Sequence, residues 1–253
     1  MAREYYQHKS YVFRSGPEEI PNIFTLPRIG AGHDGYVFKF NNKALKLLKY
    51  GISLRKEKGL MTFAKAVYFQ EELDLKRFTK PIDILLDEEG VYSGYVMEYL
   101  EDVTKDDKKN LPIYRSIVDF TCGDLIHTAN MLEEDFAELS SKKVLALDIN
   151  AGSYIFTTDF IKLCDMDKFQ IVNSNVSERN KSMLNYVLAK YLYHAMEFCT
   201  ELNKEQLKQI NAWVKKMTNS RQFIRDLEKE VGKSYSTPIR EYAKEKVKTI
   251  INK

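Results

Sequence analysis

Residues 29–49, IGAGHDGYVFKFNNKALKLLK, constrain this chain more than any other stretch. Gly30, Gly32 and Gly35 form a G-x-G-x-x-G run. An alternating segment from Tyr36 to Phe40, an Asn41-Asn42 turn and a second run from Lys43 to Leu48 follow. The spacing predicts a β-hairpin whose entry lacks Cβ atoms, so that its backbone can approach phosphate oxygens closely. Alternation places Ala44, Lys46 and Leu48 on one face of the second strand, and Leu45 and Leu47 on the other. A small residue beside a lysine suits a flat ring over Ala44, with Lys46 reaching phosphates. Lys46 could equally be a surface lysine in a strand that also carries Lys43 and Lys49.

A lysine on an inward face needs a counter-ion. The next periodic segment, Met61 to Phe78, reads as a helix with Phe63, Val67, Leu75 and Phe78 on one stripe, ended by Pro81. Glu71 precedes Leu75 by four residues and Phe78 by seven, so it is expected on the inward stripe, with Glu72 turned to the flank. A second hairpin follows, Ile82–Asp87 and Val91–Leu100, joined at Glu88-Glu89-Gly90. Residues 1–22 read as a polar extension packed loosely on this β-rich part, and the charged stretch 101–110 as a solvated linker.

Beyond the linker the pattern becomes helical: Leu125, Ala129, Leu132, Phe136 and Leu139 recur at helical spacing. A β island interrupts, Tyr154-Ile155-Phe156 and Phe160–Cys164, flanked by Asp148 and Asp165. Two aspartates beside the strands of one hairpin can point at a shared space, one orienting a hydroxyl and the other holding a divalent cation. Either alone could be a turn residue. Helices resume through Leu184, Leu188 and Tyr191, then from an Asn203/Gln206 capping box, then after Thr237-Pro238.

Composition narrows the classes. With 253 residues, 44% of them hydrophobic, the chain can bury a substantial core. Its 39 basic and 36 acidic residues leave a net charge of +3, which makes no strong case for nucleic acid. Interleaved acidic residues make the basic C-terminal helices read as solvated faces. Three widely spaced cysteines argue for reduced thiols rather than a disulfide framework or zinc site. The start MAREYYQHKS has no apolar signal core, and no run approaches a membrane span, so a cytoplasmic chain without membrane contact is expected.

Over roughly residues 24–170 these parts resemble the protein-kinase-like superfamily. GAGHDGYV is similar to the glycine-rich loop, with Gly30, Gly32, Gly35 and Val37 at its fixed positions. KALK resembles the V-A-I-K strand, which implies Ala44 under adenine and Lys46 on the α- and β-phosphates of ATP. Glu71 would be its helix partner. YVMEYLED resembles the hinge, implying Met97 as gatekeeper, with backbone groups of Glu98 and Leu100 on the adenine edge. LALDINAGSYIF resembles the catalytic loop and makes Asp148 the catalytic aspartate. IKLCDMD resembles the strand into D-F-G and makes Asp165 the Mg²⁺ (or Mn²⁺) ligand.

The resemblance implies an α+β, two-lobed fold. Residues 1–100 would form a small β-rich lobe with a five-stranded sheet and one helix, 101–110 the hinge linker, and 111–253 a mainly helical lobe with an embedded catalytic hairpin. Several positions depart from the family pattern. Ala146-Leu147 replaces its His-Arg pair, and Ser153 stands where an asparagine would bind the second metal. Asn150 stands at the phosphate-contacting lysine, and Asp165-Met166-Asp167 replaces D-F-G, making Asp167 a further metal candidate. The segment from Gln170 to Asn180 is short, and no A-P-E follows. The implied function is ATP-dependent phosphoryl transfer to a hydroxyl on a protein or small molecule. The alternatives are a pseudokinase that binds nucleotide or a partner, and a small-molecule kinase.

Overall fold

A computed structural model describes residues 10–16, 19–20, 22–49, 59–101, 120–150, 153–157, 160–199, 202–218, 223–231 and 235–252. It is an α+β chain built on a curled, seven-stranded antiparallel sheet. The strands are β1 (Tyr11–Phe13), β2 (Glu19–Ile20), β3 (Arg28–Ala31), β4 (Gly35–Phe40), β5 (Lys43–Leu48), β6 (Asp83–Asp87) and β7 (Tyr92–Glu98). Their order across the sheet is β2-β1-β6-β7-β5-β4-β3. Both expected hairpins form. Asn41 takes φ 54° in the turn of the first, and Gly90 takes φ 76° in the turn of the second.

Face alternation along β5 is realised as two separate cores. Ala44 and Leu48 pack with Tyr95, Met97 and the helices, whereas Leu45 and Leu47 pack with Phe38, Leu85 and Val96. Tyr11, Phe13, Ile20 and Ile23 complete the second core. The sequence expectation of a loose extension and a five-stranded sheet is therefore corrected for the described part of that extension. Three apolar side chains on two short strands give the curled sheet a lid for its outer face, and β1 pairs with β6 at Tyr11↔Asp87 to Phe13↔Leu85.

At the centre, Gly94 of β7 lies opposite Leu47 of β5, beside a register shift between Leu85 and Leu86. A Cβ at Gly94 would stand 2.0 Å from the Lys46 carbonyl oxygen, so only glycine permits this strand spacing. Gly94→Ala is expected to destabilise the chain by at least the roughly 1–3 kcal/mol of core overpacking. Chemical unfolding of the variant checks this, and an unchanged midpoint would contradict it.

Helix α1 (Phe63–Glu72) buries Ala66 and Phe69 against the sheet and ends at Leu73. The remaining elements are α2 (Cys122–Ser141), β8 (Val144–Leu145), β9 (Tyr154–Thr157), β10 (Phe160–Leu163) and β11 (Gln170–Ile171). They are followed by α3 (Ser177–Cys199), α4 (Lys204–Thr218), α5 (Phe223–Val231) and α6 (Ile239–Ile251). A Thr121–Asp124 capping box opens α2, and the reciprocal Asn203–Gln206 bonds open α4 as expected. Pro238 is itself the cap residue of α6, so the helix begins one residue later than a Thr237 cap with Pro238 at the first position would give.

One apolar cluster runs from the inner sheet face into the helices without a break. Phe78, just before β6, makes edge-on contacts with Phe136 of α2 and Phe169, at 5.6 Å each. Of the linker 101–110, only Glu101 lies within the described residues.

Candidate active site

The site is built around Lys46, which is buried in mid-strand on β5. Its cross-strand neighbour is Tyr95 on β7, so both side chains leave the same face. They meet Asp167. The Lys46 ammonium lies 2.7 Å from Asp167 Oδ2, and the Tyr95 hydroxyl donates to Asp167 Oδ1 at 2.7 Å. Lys46 Nζ also donates to Asp165 Oδ1 at 2.6 Å, from a residue 119 positions away. The two side chains are thus in direct contact.

The two carboxylates differ in what holds them. Asp167 is fully enclosed, which by itself would push its pKa up. The charge and hydrogen bond of Lys46, helped by Tyr95 and Lys65, more than offset this and hold it below the ordinary carboxylate range. Asp165 has half its side chain open to solvent. Burial of the remainder pushes its pKa up, Lys46 opposes this, and the neighbouring charge of Asp167 reinforces it. Burial would lower the Lys46 pKa, and the two carboxylates reverse that, so the ammonium stays charged. Lys46 lies between the two carboxylates, and Asp165 is the exposed and less firmly held of them. Tyr95 titrates far above its ordinary value through burial and the adjacent Asp167.

Helix α1 contributes a lysine to this centre, not a glutamate. Lys65 donates to the carbonyls of Gly59 and Asp167, and burial pulls its pKa down to about 8, with Asp167 opposing the shift. Glu71 is exposed, 3.7 Å from Arg14 Nη1, so the expected Lys46–Glu71 pair is not made. The reason is geometric. The helix stops at Glu72, so Leu75 and Phe78 do not extend its stripe. The stripe that is buried contains Phe69, and two residues further the helix has turned about 200° away. Glu72 pairs with Lys142 at 3.0 Å.

The glycine-rich stretch lies over Lys46. Gly32 N–H donates to the Gly35 carbonyl at 3.0 Å, closing the turn between β3 and β4. A Cβ on Gly35 would stand 2.7 Å from the Leu47 carbonyl oxygen and 3.6 Å from Lys46 Cε, so glycine is required there. Gly30 pairs with Val37, and Val37 lies opposite Lys46. On the other side of β5, Ala44 pairs with Met97 and Lys43 with Glu98, both in β7. Met97 is buried. Glu98 is exposed and forms an ion pair with Lys162 of β10 at 2.6 Å, while Leu100 lies half-buried just past β7.

The β island brings the second aspartate to the same side. β8 leads into Asp148 and pairs with β11, which follows Asp167, so the two loops are bracketed by one ladder. The buried Asn180 fixes β8 by accepting from Ala146 N–H and donating to the Val144 carbonyl. Leu163 N–H donates to the Arg77 carbonyl at 2.6 Å, which ties β10 to the chain entering β6. Asp148 and Asp165 both adopt left-handed backbone, φ 59° and 73°. Such conformations concentrate at functional sites. Asp148 is exposed and pairs with Lys168 Nζ at 2.7 Å.

Asp165 is the carboxylate here that could hold a divalent cation. Mg²⁺ takes one or two carboxylates and completes its sphere with water and phosphate oxygens. The exposed Asp165 carboxylate suits that chemistry. Asp167 does not, because Lys46 and Tyr95 already occupy its buried oxygens, and its assignment as a metal ligand is corrected to an internal anchor. Ser153 is buried and its hydroxyl accepts from Asn150 N–H at 3.2 Å, which makes it a clasp of the loop. Among the described residues no cluster of three or more His, Cys, Asp or Glu side chains could hold a metal alone.

A hollow lined by Phe24, Leu26, Arg28, Tyr36 and Phe38 lies beside β3 and β4 and includes none of these side chains. No helix among the described residues is long and apolar enough to cross a membrane. No protein-family model matches the chain, and no curated sequence matches it.

Sequence reasoning missed Lys65, Tyr95 and Lys168. Tyr95 carried a signal, since strand register makes it the partner of Lys46. The other two depend on tertiary placement.

Proposed function

We propose that this chain is an ATP-dependent phosphotransferase of the protein-kinase-like type, passing the γ-phosphate to a hydroxyl acceptor. The observation that carries this reading is the Lys46–Asp165 contact beside the glycine-closed hairpin, with Asp148 tied through Lys168 to the segment that follows Asp165. The arrangement of the sheet supports it too. The lysine strand β5 lies between the glycine-rich strands β4 and β3 on one side and the hinge-like strand β7 on the other.

Each side chain has a role in keeping with its environment. Lys46 supplies fixed positive charge for the α- and β-phosphates, held in place by Asp167 instead of a helix glutamate. Asp165 would hold Mg²⁺, which when bound neutralises charge on the phosphate oxygens. Asp148, exposed at the loop tip, accepts the proton of the acceptor hydroxyl. Ala44 and Met97 give the adenine a small, apolar site. Preorganised charge and positioning supply most of the rate in such a reaction.

A nucleotide- or partner-binding regulatory module without transfer is the second reading. It is favoured by one feature: two carboxylates already neutralise Lys46, and Asp167 has no route out. Binding separates nucleotide recognition from a partner-only role. The wild type is expected to show a Mg²⁺-dependent thermal shift with ATP, and Lys46→Met to lose it. A wild type unaffected by ATP with Mg²⁺ would refute nucleotide binding.

A further inference from the structure

We propose that Lys168 is a catalytic residue that grips the γ-phosphate, supplying from the segment behind Asp167 the cation that the catalytic loop lacks. This rests on the phosphotransferase reading and adds to it the group that receives the transferred phosphoryl oxygens.

The loop carrying Asp148 has the neutral Asn150 two positions on, and its side chain donates to the Asp148 carbonyl at 3.2 Å. An amide cannot balance a phosphoryl group brought between two aspartates. Lys168 can. Adjacent residues in the segment point in opposite senses: Asp167 inward to Lys46, Lys168 outward to Asp148. The Lys168 ammonium lies in the field of Asp148 first, then of Asp34 at the glycine turn and Asp165 after β10. Its direct contact is with Asp148, and the charges of the other two elements act on the same amine.

Stability does not explain the pair. Lys168 and Asp148 side chains are 43% and 49% exposed, and exposed ion pairs contribute little. A pair this exposed is suited to exchange. The exposed amine on its flexible stem can leave Asp148 Oδ2 by side-chain rotation. Its departure leaves that carboxylate oxygen open to the acceptor.

In the transfer step the acceptor oxygen forms a bond to the γ-phosphorus as the bond from that phosphorus to the bridging β,γ-oxygen breaks. ADP leaves with the electron pair, and the acceptor proton passes to Asp148. Lys168 changes no bond and neutralises oxygens on the moving group.

The test compares Mg²⁺-dependent binding of ADP and of the non-hydrolysable triphosphate AMP-PNP by calorimetry, on the full chain. Lys168→Met is expected to weaken AMP-PNP about tenfold, the scale of one charge-assisted contact, while ADP stays within about twofold. Lys168→Gln should behave alike and provides the result if the methionine variant is insoluble. Lys168→Arg should retain most triphosphate affinity. If the wild type binds both nucleotides and the variants leave the ratio unchanged, or weaken both equally, the role of Lys168 is overturned and the phosphotransferase reading stands. If the wild type binds neither, that reading fails and takes this role with it.

Discussion

Replacing Asp167 by alanine is expected to destabilise the protein by roughly 3 kcal/mol, the lower end of the range for breaking a buried ion pair. It leaves the enclosed Lys46 ammonium with Asp165 as its remaining carboxylate and the Tyr95 hydroxyl without its acceptor. In a chain of this size that corresponds to a fall in melting temperature of roughly 6–12 °C. Tyr95→Phe removes one hydrogen bond to a charged group and should cost about 1.5–3 kcal/mol.

Glu71→Ala should change stability by less than about 0.5 kcal/mol, because that carboxylate is exposed. Thermal unfolding of the three variants checks the set. If Glu71→Ala proves as costly as Asp167→Ala, the helix glutamate holds Lys46 after all. The pH dependence has a definite sign. Asp167 has a folded pKa below its unfolded value, so its contribution is present above the unfolded value of about 3.9 and is lost as pH falls through the lowered one. The gap between wild type and Asp167→Ala should therefore narrow on acidification below about pH 4.

Asp165→Asn is expected to leave the fold intact and to reduce phosphoryl transfer by roughly 10²-fold or more, the scale of removing one charge-stabilising group. The two aspartates thereby separate structure from chemistry. Asp165 is half exposed, and Lys46 keeps Asp167 when it is neutralised. The same substitution removes the repulsion between neighbouring carboxylates, so melting temperature should hold or rise slightly. A variant that loses stability and activity together would show that Asp165 serves packing. Unfolding curves and initial rates on one preparation distinguish the two outcomes.

Much of this was readable from sequence where the controlling interactions are local. Alternation along Lys43–Leu48 assigned Ala44 and Leu48 to one face and Leu45 and Leu47 to the other, and each pair packs in its own core. The turns at Asn41-Asn42 and Glu88-Glu89-Gly90 set two hairpins through backbone preferences confined to a few residues. Glu71 was misread because the end of α1 is fixed from a distance. Lys80 caps the carbonyls of Gln70 and Leu73, and Asp135 of α2 takes the N–H groups of Lys76 and Arg77 at 2.8 and 2.7 Å. Those partners lie 58 and 59 residues away, beyond any helical period.

Asp165 and Asp167 look alike in IKLCDMD. Only the third dimension separates them, because Tyr95 meets one of the two. The short strands β1 and β2 escaped notice for a related reason. Three and two residues carry no periodicity, and their burial depends on the curl of a sheet formed mostly later in the chain.

The most direct measurement is transfer of radiolabelled γ-phosphate from ATP, to the protein itself or to an added hydroxyl acceptor, with Mg²⁺ or Mn²⁺ present. Wild type should incorporate label, chelation of the metal should stop it, and Lys46→Met and Asp165→Asn should each reduce it to background. Label that persists in both variants would contradict a phosphotransferase site at Lys46, Asp165 and Asp148.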